Sequence, residues 1–304
     1  MRARDRLKQA FNRAASSGAT SHILAREVSG RLIEQLDWLK IAPECILDAG
    51  CGMGLDAPSL RARYPDASYT GIDVASVALR VASEKVDQPG IWGRLWAKFS
   101  QGMSSGNPGA NWVCADFEQL PFAVSSFDLV WSNLALHWAS DTETAFRSLR
   151  AAMRPEGLLL FSCYGPDTLK ELRTAFAKAD GRQHINRFMD MHDIGDMLMR
   201  TGFSSPIMSM ECITLTYLDV LDILNDIKRS GENSLMVERH AGLMGRGAWQ
   251  RMVECYEELR SEGRLPATYE IVYGHAWAAA QPAVARSGGG YPVRWIRSGA
   301  TGAQ

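Results

Sequence analysis

The sequence predicts an α/β protein with a doubly wound, mostly parallel β-sheet, N-terminal helices and a helical cap inserted in its C-terminal half. Two observations support this prediction. Short apolar runs alternate with amphipathic segments through the first 165 residues, which is typical of parallel strands joined by helices. Beyond Gly165 the rhythm changes, and the predicted helices are too numerous for a plain sheet.

The N-terminal 40 residues are expected to be helical. Apolar residues at helical spacing predict a helix over 21–40, and the Arg-rich start, MRARDRLKQAFNRAASS, predicts another. Its arginines and serines also fit an organellar targeting peptide, although Asp5 and the lack of an apolar stretch favour a mature helix. We expect a helical lid at 1–40, a main domain at 41–280 with its cap at about 166–265, and a flexible tail at 281–304.

The first half should contain five strands, each ending at a turn signal. They read CILDAG, SYTGIDV, NWVCAD, SFDLVWSN and LLLFSCY. Helices are predicted from the glycines to Tyr64, over 75–86 and over 141–153, with Asp141 or Thr142 as an N-cap. The turn RPEG separates the last helix from the fifth strand, and residues 87–110, rich in Gly, Ser and Pro, predict a loop.

The second half mixes helices with two further apolar segments. MSMECITLTY predicts a strand, and TYEIVYGHAWAAA is a last apolar segment of the main domain. The predicted helices lie at 166–180, 190–201, 217–229 and 246–260.

Composition excludes several classes of function. The net charge is −1, so no global basic field indicates nucleic acid or an anionic membrane. The six cysteines are scattered without a CxxC pair, which favours reduced thiols in a cytoplasmic protein over a disulfide framework, and we predict no metal site. We expect a cytoplasmic monomer.

The stretch ILDAGCGMGLDAPSL places three glycines, Gly50, Gly52 and Gly54, directly after the first strand. Ligands bind at this end of the strands in doubly wound sheets, and glycine lets the backbone turn tightly and touch a ligand. Dinucleotides and S-adenosylmethionine both fit. The DxGxGxG spacing is shorter than the dinucleotide fingerprint, and Asp48 disfavours a pyrophosphate but suits a sulfonium or an ammonium. The pattern therefore favours S-adenosylmethionine over a nicotinamide cofactor.

Acidic residues also end the second and third predicted strands. Asp73 would accept hydrogen bonds from ribose hydroxyls, and Asp116 would hold an adenine amino group while Phe117 packs on the ring. Each aspartate alone could be a cap or turn residue, but three in this order with the glycines indicate a cofactor site. The predicted cofactor-binding residues are Asp48, Gly50, Cys51, Gly52, Gly54, Asp73, Val74, Asp116, Phe117 and Asn133.

These motifs resemble those of the class I S-adenosylmethionine-dependent methyltransferases. ILDAGCGMG, GIDVA, CADFEQLPF, FDLVWSNLALHW and RPEGLLLF match the successive motifs of that superfamily over residues 40–165. The resemblance implies a Rossmann-like fold that binds S-adenosylmethionine and releases S-adenosylhomocysteine.

A second resemblance concerns the methyl acceptor. AFNRAA, LALHW, GRQHINRFMDMHDI and LPATYEIVYGHAW together resemble the malonyl-[acyl-carrier protein] O-methyltransferases of biotin synthesis, over residues 10–280. The resemblance implies methyl transfer to the free carboxylate of malonyl-acyl-carrier protein. That carboxylate is ionised at neutral pH, so it needs alignment and exclusion of water rather than a general base.

Four residues are the predicted catalytic set for this acceptor. Arg187 could grip the carboxylate, or could form a surface salt bridge. His137 and Trp138 would sit beside the methyl group, although Trp138 also suits the core, and His184 could be a second donor. The family's tyrosine after FNRAA is absent here, where the chain reads SSGATSH around Gly18.

Other functions remain open at this point. The pattern also resembles a mitochondrial complex I assembly factor that hydroxylates a protein arginine, and RSGENS favours that reading. A non-catalytic assembly module and a methyltransferase with a different small-molecule acceptor are further alternatives. An acidic carrier protein would need a basic patch, for which Arg2, Arg4, Arg6, Lys8, Arg13, Arg94 and Lys98 are the candidates.

Overall fold

A computed structural model describes residues 3–17, 23–86, 109–181, 184–232 and 244–280. Its centre is a seven-stranded sheet with the strand order β3-β2-β1-β4-β5-β7-β6. The strands are β1 (Cys45–Ala49), β2 (Ser68–Asp73), β3 (Asn111–Cys114), β4 (Phe127–Ser132), β5 (Met153–Tyr164), β6 (Phe203–Tyr217) and β7 (Leu265–Ala278). The predicted loop at 87–110 and the tail at 281–304 lie almost wholly outside the described residues.

Helices join and flank the strands. They are α1 (Ala3–Ser17), α2 (Ile23–Trp38), α3 (Ala57–Arg63), α4 (Ser76–Val86), α5 (Thr142–Ala152), α6 (Lys170–Asp180), α7 (Met191–Arg200), α8 (Val220–Arg229) and α9 (Arg246–Glu257). A 3-10 turn, Leu136–Trp138, follows β4. Asp141 caps α5 as predicted, because its side chain accepts the backbone N–H groups of Glu143 and Thr144. No helix among the described residues is long and apolar enough to cross a membrane.

The predicted doubly wound sheet is confirmed. Strands β1 to β5 pair in parallel, and β1 and β4 at the centre are almost wholly buried. Only β7 among these strands runs in the opposite direction, because it pairs antiparallel with both β5 and β6, and β6 therefore points the same way as the five parallel strands. All five parallel strands therefore end at one edge of the sheet, where the predicted ligand-binding residues lie.

Two strands begin earlier than the sequence predicts. β5 already begins at Met153, so the RPEG segment continues the strand instead of ending before it. Glu156 takes a left-handed φ of 62°, and the pairing with β4 shifts register there, which makes this segment a bulge. β6 begins at Phe203 and extends the cap region's strand to 15 residues, all antiparallel to β7.

Both faces of the sheet are covered by apolar helices. On one face, buried residues of α2, α6 and α9 pack together, including Leu32, Leu172 and Tyr256. On the other face, Phe146 of α5 and Leu198 of α7 lie in a second cluster. α1 packs outside both layers, mainly against α4. It thus lies over the carboxyl edge of the sheet.

Candidate functional site

A cleft of about 1030 Å³ opens at the carboxyl edge of the parallel strands. Its near half is formed by the segments that follow β1, β2, β3 and β4, and its far half by β6, β7 and α8. Residues of α1 and α2 complete the wall. Pockets for small ligands commonly occupy about 300–1,000 Å³, so this cleft is large enough for two ligands side by side.

The glycine loop forms the floor of the near half. Gly50, Gly52 and Gly54 have φ values of 83°, 51° and 72°, a region that disfavours residues with a side chain. A Cβ at Gly50 would lie 2.3 Å from the Ala135 Cβ, and one at Gly54 would lie 2.8 Å from the Trp112 ring. A Cβ at Gly52 would meet no described atom within 4 Å. Gly52 therefore leaves its space to a ligand in the cleft.

Asp73 lies beside this loop at the end of β2. Its carboxylate accepts the Gly52 N–H at 2.9 Å and the Ala75 N–H at 2.7 Å. Burial raises the pKa of Asp73, and the backbone hydrogen bonds oppose that shift. A carboxylate has about four lone-pair sites, so Asp73 keeps capacity to accept a hydrogen bond from a ligand hydroxyl.

The third predicted carboxylate is bound by the lid helix. Arg4 of α1 forms ion pairs with Asp116 and with Glu118, the latter at 3.2 Å. Asp116 also accepts the Glu118 N–H at 2.8 Å. Both acids line the cleft beside the Phe117 ring. α1 therefore closes the end of the cleft at which an adenine was predicted.

Asp48 lies behind the cleft wall rather than on it. It is buried and accepts a 2.5 Å hydrogen bond from the Tyr69 hydroxyl, while its Oδ1 has no hydrogen-bond partner among the described residues. Burial and the nearby Asp56 raise its pKa. The buried carboxylate on the cleft wall is Asp56, which accepts the Trp131 indole N–H at 2.9 Å.

Sequence reasoning missed Asp56 because an aspartate before APS fits a helix N-cap. It does precede α3, but its side chain makes no cap hydrogen bond. Asn133, at the end of β4, donates to the Ala25 carbonyl of α2 at 3.0 Å and accepts from Ser162 at 2.9 Å. Asn133, Cys51 and Val74 line the cleft, and their contact with a cofactor stays a prediction.

His137 and Trp138 are neighbours in the 3-10 turn after β4, but their side chains line different cavities. Trp138 lines the cleft and packs edge-on against Phe11 of α1, with 5.4 Å between ring centroids. His137 lines a second cavity of about 230 Å³, where Arg187 is also a lining residue. Burial lowers the pKa of His137 to about 3, so the imidazole is neutral, and both its nitrogens lack a partner among the described residues.

His184 contributes to neither cavity. Its ring stacks on Phe176 at 4.3 Å and its Nε2 lies 2.9 Å from the Asp180 carboxylate. The structure therefore does not bring the four predicted catalytic residues together. Trp138 lines the large cleft, and His137 and Arg187 line the smaller cavity. His184 lies just after the end of α6 and pairs with its last residue, Asp180.

The far half of the cleft contains hydroxyl and carboxyl groups that sequence reasoning missed. The Tyr217 hydroxyl donates to Asp226 at 2.7 Å, and the Tyr164 hydroxyl donates to Glu232 at 2.5 Å. Tyr269 lines the same half. Burial raises the pKa of Glu232 to about 7. No short motif marks these residues, because they come from separate strands and from the end of α8.

Comparisons with known proteins agree with this geometry. The family described as Methyltransferase domain matches residues 47–161. The chain is 47% identical over 282 residues to the malonyl-[acyl-carrier protein] O-methyltransferase of Gallionella capsiferriformans, covering 93% of each chain. It is 46% identical to the protein of the same name from Laribacter hongkongensis, covering 92% of this chain and 91% of that one.

Two solved structures share the fold. The YcgJ protein from Bacillus subtilis superposes with a TM-score of 0.55 at 16% identity, covering 84% of this chain and 99% of that chain. A protein from Bacillus halodurans C-125 gives 0.51 at 16% identity, covering 81% of this chain and 98% of that chain. Identities this low support the architecture alone.

Gly52→Ala should abolish binding of S-adenosylmethionine while the protein stays folded. The new methyl group would project into the cleft without meeting protein atoms, and the left-handed backbone costs about 1–2 kcal/mol. Calorimetric titration with the cofactor measures the effect. Gly181→Ala is the matched control, because Gly181 has a φ of 70°, equal open space and a place at the end of α6. Equal loss of affinity in both variants would contradict a ligand at Gly52.

Asp73→Asn should weaken binding of S-adenosylmethionine by at least about 1 kcal/mol. Hydrogen bonds to a charged group contribute about 1.5–3 kcal/mol against about 0.5–1.5 kcal/mol for neutral ones. Asp66→Asn is the control, because it makes the same chemical change at an exposed residue on the turn before β2. An unchanged dissociation constant for the Asp73 variant would assign that carboxylate a purely structural role.

Proposed function

This chain belongs to the malonyl-[acyl-carrier protein] O-methyltransferase family, and we propose that it methylates the free carboxylate of malonyl-acyl-carrier protein, an early step of biotin synthesis. The observation that carries the proposal is the single cleft that joins the glycine loop and Asp73 to a second chamber beside Trp138. Relatives with that name are 42–47% identical over most of the chain.

The near half of the cleft fits S-adenosylmethionine. Gly52 leaves the floor bare, Asp73 has lone pairs free for ribose hydroxyls, and Phe117 offers a ring face for adenine. The buried carboxylate of Asp56 suits the positive charge of the methionine end. When bound, this cofactor supplies a methyl group on a cationic sulfur, and its transfer neutralises the acceptor carboxylate without moving a proton.

The protein's contribution to this reaction is positioning. An ionised carboxylate needs no general base, so the residues must align it and keep water out. Trp138 and Phe11 close the cleft with an edge-on aromatic contact between the 3-10 turn and α1. Three of the predicted catalytic residues, His137, Arg187 and His184, do not line the large cleft. Their contacts with the acceptor stay predictions.

An acidic carrier protein can dock at the rim of the cleft. Exposed cations line the mouth, and the acidic lining residues other than the exposed Asp222 are at least partly buried. These cations are Arg26, Lys85, Arg229 and Arg264. Of the patch predicted on α1, Arg6, Lys8 and Arg13 are exposed, Arg4 is paired with Asp116, and Arg2, Arg94 and Lys98 lie outside the described residues. Rim cations would orient a negatively charged partner.

The six cysteines are consistent with a cytoplasmic enzyme. All six have free thiols, and four of them are partly or fully exposed. A reducing compartment keeps such thiols free.

A second candidate function is favoured by the acids of the far half. Asp226 and Glu232 would attract a cationic acceptor such as a protein arginine, as in a methyltransferase-fold assembly factor or hydroxylase. A different small-molecule acceptor is compatible with the same chamber.

Methyl transfer from labelled S-adenosylmethionine distinguishes these functions. Malonyl-acyl-carrier protein should acquire base-labile label, whereas acetyl-acyl-carrier protein, which lacks the free carboxylate, should acquire none. Cofactor binding without transfer to the malonyl carrier would refute the proposal and favour the second candidate.

Arg229→Glu and Arg26→Glu should each raise the KM for the carrier-bound substrate about fivefold at low salt, because an exposed ion pair contributes up to ~1 kcal/mol. The effect should shrink at high ionic strength. Steady-state kinetics with malonyl-acyl-carrier protein measures it. Lys178→Glu, on the remote helix α6 and also exposed, is the control. A malonyl group on a small thiol should show no such dependence, and an equal rise in its KM would argue against carrier docking.

A further inference from the structure

The far half of the cleft lacks an internal cation among the described residues. Its described cations, Arg229 and Arg264, are exposed at the rim. The groups that face inward are the carboxyl groups of Asp226 and Glu232 and the hydroxyl groups of tyrosines. A substrate carboxylate placed here needs a neutral hydrogen-bond donor, because an ionised acid would repel it.

Glu232 is held in place by close packing around Gly231. Gly231 follows α8 with a left-handed φ of 84°, and a Cβ there would lie 2.8 Å from the Phe11 ring of α1. Phe11 in turn packs against Trp138. The contact fixes the backbone next to Glu232 against the lid helix and the acceptor-side tryptophan.

Tyr164 engages one of the two carboxyl oxygens of Glu232, and Ser230 forms a second hydrogen bond with the carboxyl group. The Tyr164 hydroxyl donates to Oε1 at 2.5 Å, and Tyr164 itself is buried in the wall between the two cavities. The second carboxyl oxygen carries the proton when the group is neutral, and it can then donate into the cleft that Glu232 lines.

We propose that Glu232, in its protonated form, donates a hydrogen bond to the acceptor carboxylate and thereby orients it for methyl transfer. The assignment rests on the proposed function, since only an anionic acceptor needs a donor at this position. It makes Glu232 an acceptor-binding residue that selects carboxylates over neutral or cationic acceptors.

The surroundings of Glu232 favour the neutral form. Tyr164 of β5, Tyr217 of β6, Tyr269 of β7 and Asp226 of α8 are the titratable groups that face it, and α1 presents the apolar Phe11. Burial and the negative charge of Asp226 raise its pKa to about 7, against the opposing hydrogen bonds of Tyr164 and Ser230.

The pH dependence of the reaction then has a definite sign. Below pH 7 Glu232 keeps its proton and can donate, whereas above pH 7 it ionises and repels the substrate carboxylate. The malonyl carboxylate itself stays ionised throughout this range. kcat/KM should therefore fall about tenfold per pH unit above pH 7. A general base acting on a neutral acceptor would give a rise over the same range.

The test compares pH profiles of kcat/KM with malonyl-acyl-carrier protein from pH 6 to 9. Glu232→Gln keeps a donor without a titrating group, so its profile should be flat and within about threefold of the parent at pH 6. Glu232→Leu removes the donor and should lower kcat/KM about 10- to 100-fold at pH 6. Glu254→Gln, the same change on an exposed face of α9, should keep the falling profile of the parent.

Cofactor affinity and melting temperature are measured for every variant, so that misfolding is recognised. A folded, cofactor-binding Glu232→Gln that still loses activity above pH 7 would overturn the assignment, as would a parent profile that rises with pH. A parent that transfers no methyl group to the malonyl carrier at any pH would instead overturn the proposed function itself.

Discussion

The hydrogen bonds between the glycine loop and the end of β2 are the constraint on which the site depends. The N–H groups of Gly50 and Cys51 both lie 2.9 Å from the Ile72 carbonyl, and the Gly52 N–H is donated to Asp73. These bonds hold a left-handed loop against the carboxyl edge of the sheet, so that the floor of the cleft and the Asp73 carboxylate form one unit. The strand order then places β4 and the 3-10 turn on the opposite side of the same loop.

Much of the fold and of the cofactor half could be predicted from the sequence, because both are encoded locally. The periodicity of strands and helices, the spacing of the glycines and the position of acids at strand ends are all short-range patterns. Gly52 and Asp73 line the cleft, where those patterns place them. Asp48 differs because residues on one strand alternate between faces, and its side chain turns toward Tyr69 within the core.

The acceptor half could not be predicted in the same way, since it depends on contacts between distant segments. His137 and Trp138 are adjacent in a 3-10 turn, whose three residues per turn direct neighbouring side chains about 120° apart. One therefore lines the cleft and the other the smaller cavity. Glu232 lines the cleft and is hydrogen-bonded to Tyr164, which lies 68 positions earlier in the chain, so no local pattern marks it.

The lid helix α1 links the two halves of the cleft. Arg4 pairs with Asp116 near the end of β3, whereas Phe11, two helical turns further on, contacts Trp138 and lies close to Gly231 in the far half. Because one rigid helix makes both sets of contacts, displacement at one end disturbs packing at the other. Exclusion of water by α1 would strengthen both the hydrogen bond of a neutral Glu232 and the attraction between a carboxylate and a cationic sulfur. The proposed roles of the charges fit this arrangement, since rim cations would orient an acidic carrier protein, buried acids would favour a cationic cofactor, and a protonated Glu232 would accommodate an anionic acceptor.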